Sequence, residues 1–258
     1  MLFGVFTKQI FRMEACARII GMSETKVPWF EGEWLGFDTE TTGVWVRRDR
    51  IATASLIRRV GGEDTAYNWV INPGVPMPVK ASEVNGLTDE YLEKHGEQPA
   101  VALAEIASEL AAAMSSGVPV VGFNVAFDFE ILEAELARYE LPTLRARLGG
   151  RIAPVIDPLV LDRTLDRYRR GKRKLATVCE AYGLDGNRAF HQADSDVTAT
   201  LDLLGAMVER YESLRGMELD ELHDFQAAAH RTWAENFNEY MARTRPDYRP
   251  VNLEWFFA

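Results

Sequence analysis

The stretch LGFDTETTG, Leu35 to Gly43, carries two carboxylates directly behind an apolar run and then breaks into threonines and a glycine. Asp and Glu are poor strand residues, so local preference alone does not keep them there. Residues two apart on a strand leave the same face, which brings the side chains of Asp38 and Glu40 together. Two carboxylates that close repel one another unless a cation sits between them. Hard oxygen donors with no neighbouring Cys or His favour Mg²⁺ or Mn²⁺ over zinc. The ordinary alternative is a strand-end turn with solvated acids, and this stretch alone does not exclude it.

Working outward, WLGFD from Trp34 reads as a strand, RIATASLIRR (50–59) as a second and AYNWVIN (66–72) as a third. Gly61-Gly62 supplies the turn between the last two. The prolines of PGVPMPVKASEVNGLTDEYL forbid a long regular element there. Residues 99–116 then carry Leu103, Ile106, Leu110 and Met114 at helical spacing. VPVVGFN (118–124) is wholly apolar at its core, as expected of a strand buried on both faces. A helix from about Ala126 to Tyr139, a short strand at PVIDP and two further helical segments follow. DSDVTATLDLLGAMVERY closes the pattern as a helix with Val197, Leu201, Leu204 and Val208 on one stripe. Three meandering strands followed by strand–helix alternation predict an α/β fold, a mixed five-stranded sheet with helices on both faces.

That organisation divides the chain into an N-terminal extension (1–32), a central domain (33–214) and a C-terminal helical extension (215–258). In the last segment Leu222, Phe225, Ala229, Trp233, Phe237 and Tyr240 fall near one helical face. The reading is a helix that packs on the domain and tucks in the aromatic end VNLEWFFA. At the other end, Lys8, Arg12, Glu14 and Arg18 interrupt what would be the apolar core of a signal peptide, and Met22 is an alternative start.

Of the 258 residues 47% are hydrophobic, enough for a substantial core, yet no apolar run is long enough to span a membrane. Cys16 and Cys179 alone make no disulfide framework, which fits a reducing, cytoplasmic setting. The net charge of −10 argues against non-specific binding to nucleic acid, but partners respond to local potential. Arg167 to Lys174, RYRRGKRK, holds six basic residues in eight, and reads equally as a solvated helix end or a phosphate-facing patch.

Two further sites bear on Asp38 and Glu40. VGFNVAFDFEIL places Asp128 in the first turn of a helix, where a lone acid usually just compensates the helix dipole. HQADSDV places His191 five residues before Asp196, where a helix begins, and a lone loop histidine is more often structural than catalytic. Each bland reading is reasonable alone. Together they require four unrelated coincidences.

In this order FDTETTG, FNVAFDF and HQADSD resemble the three motifs of the DnaQ-type DEDDh 3′–5′ exonucleases, which have a ribonuclease H-like fold. NPGVPMPVKASEVNGLTDE resembles the same family's segment after the first motif, and the likeness runs from about Leu35 to Tyr211. Asn85 stands where many relatives carry His. The resemblance implies two divalent ions, Mg²⁺ or Mn²⁺, held by Asp38, Glu40, Asp128 and Asp196, with His191 as general base. It puts Leu87 and Phe127 against the terminal base, and Thr39, Thr41, Thr42 and Asn124 near the terminal sugar and phosphate. The implied partner is a nucleic acid with a free 3′ end, single-stranded DNA or RNA, and a DNA polymerase is a further candidate. A scaffold that has kept its groove, or a phosphatase opening with D-x-D-x-T, are the rivals. Against the second, the third position here is Glu.

Overall fold

A computed structural model describes residues 27–184, 193–245 and 247–256. Cys16, Met22 and His191 therefore lie outside the described residues. Five strands, β1 (Trp34–Thr41), β2 (Ile51–Val60), β3 (Glu63–Val70), β4 (Val120–Val121) and β5 (Val155–Ile156), form one sheet in the order β3-β2-β1-β4-β5. β1, β2 and β3 pair antiparallel, whereas β1, β4 and β5 run parallel. The mixed sheet expected from the sequence is the one observed.

Between β3 and β4 lie α1 (Val79–Asn85), α2 (Asp89–His95) and α3 (Pro99–Ser115), and between β4 and β5 lie α4 (Ala126–Arg138) and α5 (Leu144–Arg147). After β5 come α6 (Pro158–Leu165), α7 (Leu175–Ala181), α8 (Ala193–Arg210), α9 (Glu212–Arg215) and α10 (Leu219–Thr244). The proline-rich segment does lack a long element, but it folds into the short helices α1 and α2. Thr88 caps α2 by accepting the Tyr91 amide, and Gly86 ends α1 in a left-handed conformation that suits glycine.

Period-two alternation divides β1 between two cores. Leu35 and Phe37 face one side with Leu103, Ile106, Leu110, Phe129 and Leu132 from α3 and α4. Trp34 faces the other with Val197, Leu201 and Leu204 from α8. Gly36 shares that second face. A β-carbon there would lie 2.3 Å from Val197 Cγ1, so the bare backbone lets α8 lie directly on β1.

The sheet edge at β5 is finished by α10. His223 Nδ1 accepts the Val155 amide, Gln226 Oε1 accepts the Asp157 amide and Gln226 Nε2 donates to the Val155 carbonyl. Unpaired edge groups buried under a helix would otherwise go unsatisfied. The expected packing face of α10 is met in part: Leu222 is buried and Phe225 and Ala229 pack on the cores, while His223 and Gln226 also turn inward. Leu222, His223, Gln226, Ala234 and Met241 are its buried residues, whereas Trp233 and Phe237 are half-buried and Tyr240 is 60% exposed. The aromatic tail does tuck in: Trp255 is buried, and Phe256 packs edge-on against Phe129 at 5.6 Å.

The basic stretch from Arg167 to Lys174 is split in use. Arg169 pairs with fully buried Asp162 through two contacts of 2.9 and 3.2 Å, and Arg173 joins the same carboxylate. Arg173 also donates to the carbonyls of Asp162, Asp166 and Arg167. A buried carboxylate demands such compensation, so these two arginines staple the chain after α6. Arg167, Arg170, Lys172 and Lys174 remain exposed.

Candidate active site

The parallel strands β1, β4 and β5 end on the same side of the sheet, the usual position for a site in such folds. Asp38 and Glu40 leave β1 on the α8 face, in line with Gly36. Asp196 lies in the first turn of α8, and ligand oxygens of these three carboxylates lie within 4.8 Å of one another. The close approach permitted by Gly36 is what brings the helix-borne acid to the strand-borne pair. Between Glu40 and Thr41 the register of β1 against β2 shifts, an irregularity of the kind that re-aims side chains beside active sites.

Asp128 comes from the opposite face, in the first turn of buried α4. Its Oδ1 accepts both the Thr39 hydroxyl at 2.6 Å and the Thr39 amide at 3.1 Å. Asp157, which caps α6, accepts the amides of Asn124 and Leu159 and so fixes the turn between β4 and α4. Asn124 is exposed there with φ of 63°, a conformation Asn tolerates better than most residues. Asp157 is a positioning residue that the sequence reading overlooked. Its signal was present in the Asp-Pro pair, a helix cap followed by proline.

Electrostatics marks the centre. Burial, followed by the charges of Asp128, Glu40 and Asp196, raises the Asp38 carboxyl well above its ordinary range. Burial and then Asp196 raise Glu40 to about 7. Burial raises Asp128 to about 7 against the opposing donation from Thr39, and Asp157 to about 6 against its amide donors and the nearby Arg163 charge. Carboxylates gathered this closely are all ionised at neutral pH only with positive charge among them. The donor set is hard and anionic, and it fits a divalent cation of the Mg²⁺ or Mn²⁺ kind.

The remaining expected residues lie around this centre. Leu87 and Asn85 line a cleft of about 230 Å³ with Glu40 and Asp194. Asn85 accepts the Leu87 amide and donates to the Thr41 carbonyl at 3.4 Å, joining the end of α1 to the end of β1. Phe127 is half-buried against the α3–α4 core. Thr41 donates to the Gly43 carbonyl. Thr39 is buried on Asp128, and Thr42 is buried with both its amide and its hydroxyl engaged by Arg50. Next to Thr42, a β-carbon at Gly43 would meet Asp49 Oδ2 at 2.3 Å, so the bare backbone there admits the Asp49 side chain.

A ribonuclease H-like sheet with acids converging at its strand ends defines a class of metal-dependent phosphoryl-transfer enzymes. More narrowly, residues 35–204 match the exonuclease family model (RNase T type), and the chain belongs to that family. The DnaQ-type reading of the three motifs is thereby borne out. Among similar proteins are the PolC-type DNA polymerases III of Streptococcus thermophilus strain LMD-9, 28% identical over 228 residues (84% of this chain, 14% of the relative), and of Lacticaseibacillus paracasei, 28% identical over 194 residues (74% and 12%). The chain thus spans about one seventh or less of the curated relatives it matches. Similar solved structures include E. coli exonuclease I with a dA16 oligonucleotide (22% identity, TM-score 0.61, 72% of this chain and 42% of that one). The zinc-bound exonuclease I complex with single-stranded DNA is comparable (21%, TM-score 0.63, 83% and 45%). No helix among the described residues is long and apolar enough to cross a membrane.

Proposed function

We propose that this protein removes nucleotides from the 3′ end of single-stranded DNA, releasing 5′-mononucleotides. The observation that carries the reading is the convergence of Asp38, Glu40 and Asp196 within 4.8 Å, beside Asp128, in a chain of the exonuclease family. Asp38, Glu40 and Asp196 would hold divalent ions, two in number, with Asp128 serving the second partly through water. Such ions supply Lewis-acid charge to the scissile phosphodiester when bound. His191 accepts the proton of the attacking water, as an imidazole with an ordinary pKa of ~6.5 can at neutral pH. Leu87 and Phe127 hold the terminal base by apolar contact, and the exposed Asn124 lies at the turn where the terminal sugar sits. Stacking of this kind tolerates any base. Proofreading beside a polymerase, or repair in the cytoplasm, are the settings this activity suits.

The test uses matched single strands of DNA and RNA labelled at the 5′ end, incubated with Mg²⁺, Mn²⁺ or chelator. The expected result is stepwise shortening of DNA from the 3′ end, only with metal, and blocked by a 3′-phosphate. Faster digestion of RNA would reassign the substrate. Strand binding without hydrolysis in any metal would leave the chain a scaffold.

A further inference from the structure

Outside the acidic centre, a groove of about 590 Å³ lies between α6 with its following segment and α10. Its walls carry Arg163, Arg167 and Arg173 together with Phe225, Trp233 and Tyr240, and no acidic residue lines it. In a protein of net charge −10 that local balance is a reversal. Arg173 is committed to Asp162, but Arg163 and Arg167 are not. The Arg163 guanidinium lies 3.8 Å from the centre of the Trp233 ring and makes no hydrogen bond or ion pair among the described residues. Trp233 in turn stacks on Phe237 at 5.2 Å and 14°.

A guanidinium held over an aromatic face, with its N–H donors unused, is prepared for an anion. The groove also connects to the centre. The helix α6 that forms one wall starts at Asp157, whose carboxylate caps it and holds the Asn124 amide at the turn that leads to Asp128. One short helix thus joins the groove to the turn beside the acidic centre. Phosphates and flat bases match a groove with arginines on one wall and aromatic rings on the other.

We propose that this groove, built by α10 beyond the residues matched by the family model, binds the segment of single-stranded DNA that lies 5′ of the nucleotide being removed. The proposal rests on the exonuclease reading for the identity of the strand. Phosphates pair with Arg163 and Arg167, and a base packs on the exposed ring of Tyr240.

The experiment measures affinity by fluorescence anisotropy in chelator, so that it does not depend on hydrolysis. The full chain is compared with Arg163→Gln and with Thr232→Glu, which adds a negative charge at an exposed groove position without altering the core. Probes are dT4, which fills the terminal site alone, and dT20, which reaches further. The parent should bind dT20 at least about tenfold more tightly than dT4, and both variants should lose most of that gain while keeping the affinity for dT4. With Mg²⁺, Thr232→Glu should still shorten dT4 at the parent rate. An unchanged length effect in Thr232→Glu, or no length effect in the parent, overturns the proposal. So does loss of binding to an acidic peptide in the variants with dT20 unaffected, which would assign the groove to a protein partner. Failure of the parent to hydrolyse either probe would count against the exonuclease reading alone, since the anisotropy result stands without it.

Discussion

Thr39 shows what a single side chain contributes at the centre. It lies on the core face of β1, yet it holds Asp128 through both its hydroxyl and its amide. Thr39→Val keeps the shape and removes the hydroxyl, leaving a buried carboxylate short of one donor. We expect a loss of about 1.5–3 kcal/mol in denaturant unfolding, and a fall of about 10–100-fold in metal-dependent nuclease rate, as for residues that orient a metal ligand. For His191→Ala the expected fall is ~10²–10⁴ with metal affinity retained, read by turnover and by calorimetric Mn²⁺ titration. The acids themselves predict a pH effect on stability. In the metal-free protein Glu40 and Asp128 hold their protons to about 7, above their ordinary values of 4.5 and 3.8. The folded state then binds more protons than the unfolded state through that window, so stability falls as pH rises from about 4 to about 7. Melting temperature in chelator should decline over this range, and Mn²⁺ should restore it more at pH 7.5 than at pH 5. A flat profile in chelator would mean that the acids are not gathered in the folded protein. The gathering of Asp38, Glu40 and Asp196 was legible in the sequence because three motifs in family order stood together, where D-x-E or a helix-start acid alone would not have sufficed. The engagement of Thr39 and Thr42 was not, because a threonine's partner depends on the strand or loop brought against it.

At the scale of elements, the approach of α8 to β1 governs the site. Gly36→Ala sets a β-carbon against Val197, which cannot swing aside as a long side chain could. Overpacking of this kind costs about 1–3 kcal/mol. It also moves Asp196 away from Asp38 and Glu40, so nuclease rate should drop by more than the unfolded fraction explains. A rate that merely tracks the folded fraction would show that the helix position is not critical. The segment after α6 makes the opposite case, structure without chemistry. Removing Arg173 leaves Asp162 with Arg169 alone, and breaking a buried pair costs about 3–5 kcal/mol. Arg173→Ala should therefore lower thermal stability strongly, whereas Arg170→Ala and Lys172→Ala should leave it unchanged. The basic run looked uniform in sequence because charge counts do not reveal which arginine meets a buried acid seven to eleven positions away. Strand and helix identities were legible from periodicity. The short helices α1, α2 and α5 were not, since one or two turns carry too little period to read.

For the whole molecule, two cores on either side of one sheet make the chain a layered α/β structure whose strand ends converge on the acids. The motif order alone was enough to place that convergence. The role of α10 was legible only in part. Its amphipathic pattern announced packing, but the face chosen includes His223 and Gln226 because the backbone of β5 needs partners. Of the stripe expected to face the domain, Phe225 and Ala229 pack on the cores, and Trp233, Phe237 and Tyr240 line the groove beside α6. Trp255 extends the same core: its ring stacks on Phe256 at 4.4 Å, and Phe256 meets Phe129, next in sequence to Asp128. Trp255→Ala should cost about 3–5 kcal/mol, as large aromatic truncations in a core do. Denaturant unfolding monitored by far-ultraviolet dichroism would reveal a smaller loss if the tail were only a surface strap.

The finishing of β5 by side chains bears on solubility. A strand pair normally ends in charge, a bulge or another strand, and an edge left bare recruits a neighbouring chain. Here the covering is two polar side chains on a helix that stands outside the family-matched residues. A fragment ending at residue 214 would uncover the Val155 and Asp157 amides together with the apolar surface around them. It should therefore form dimers and larger aggregates at micromolar concentration, visible by light scattering. Gln226→Leu in the full chain, which leaves the helix in place but removes the polar cover, should raise that tendency more mildly.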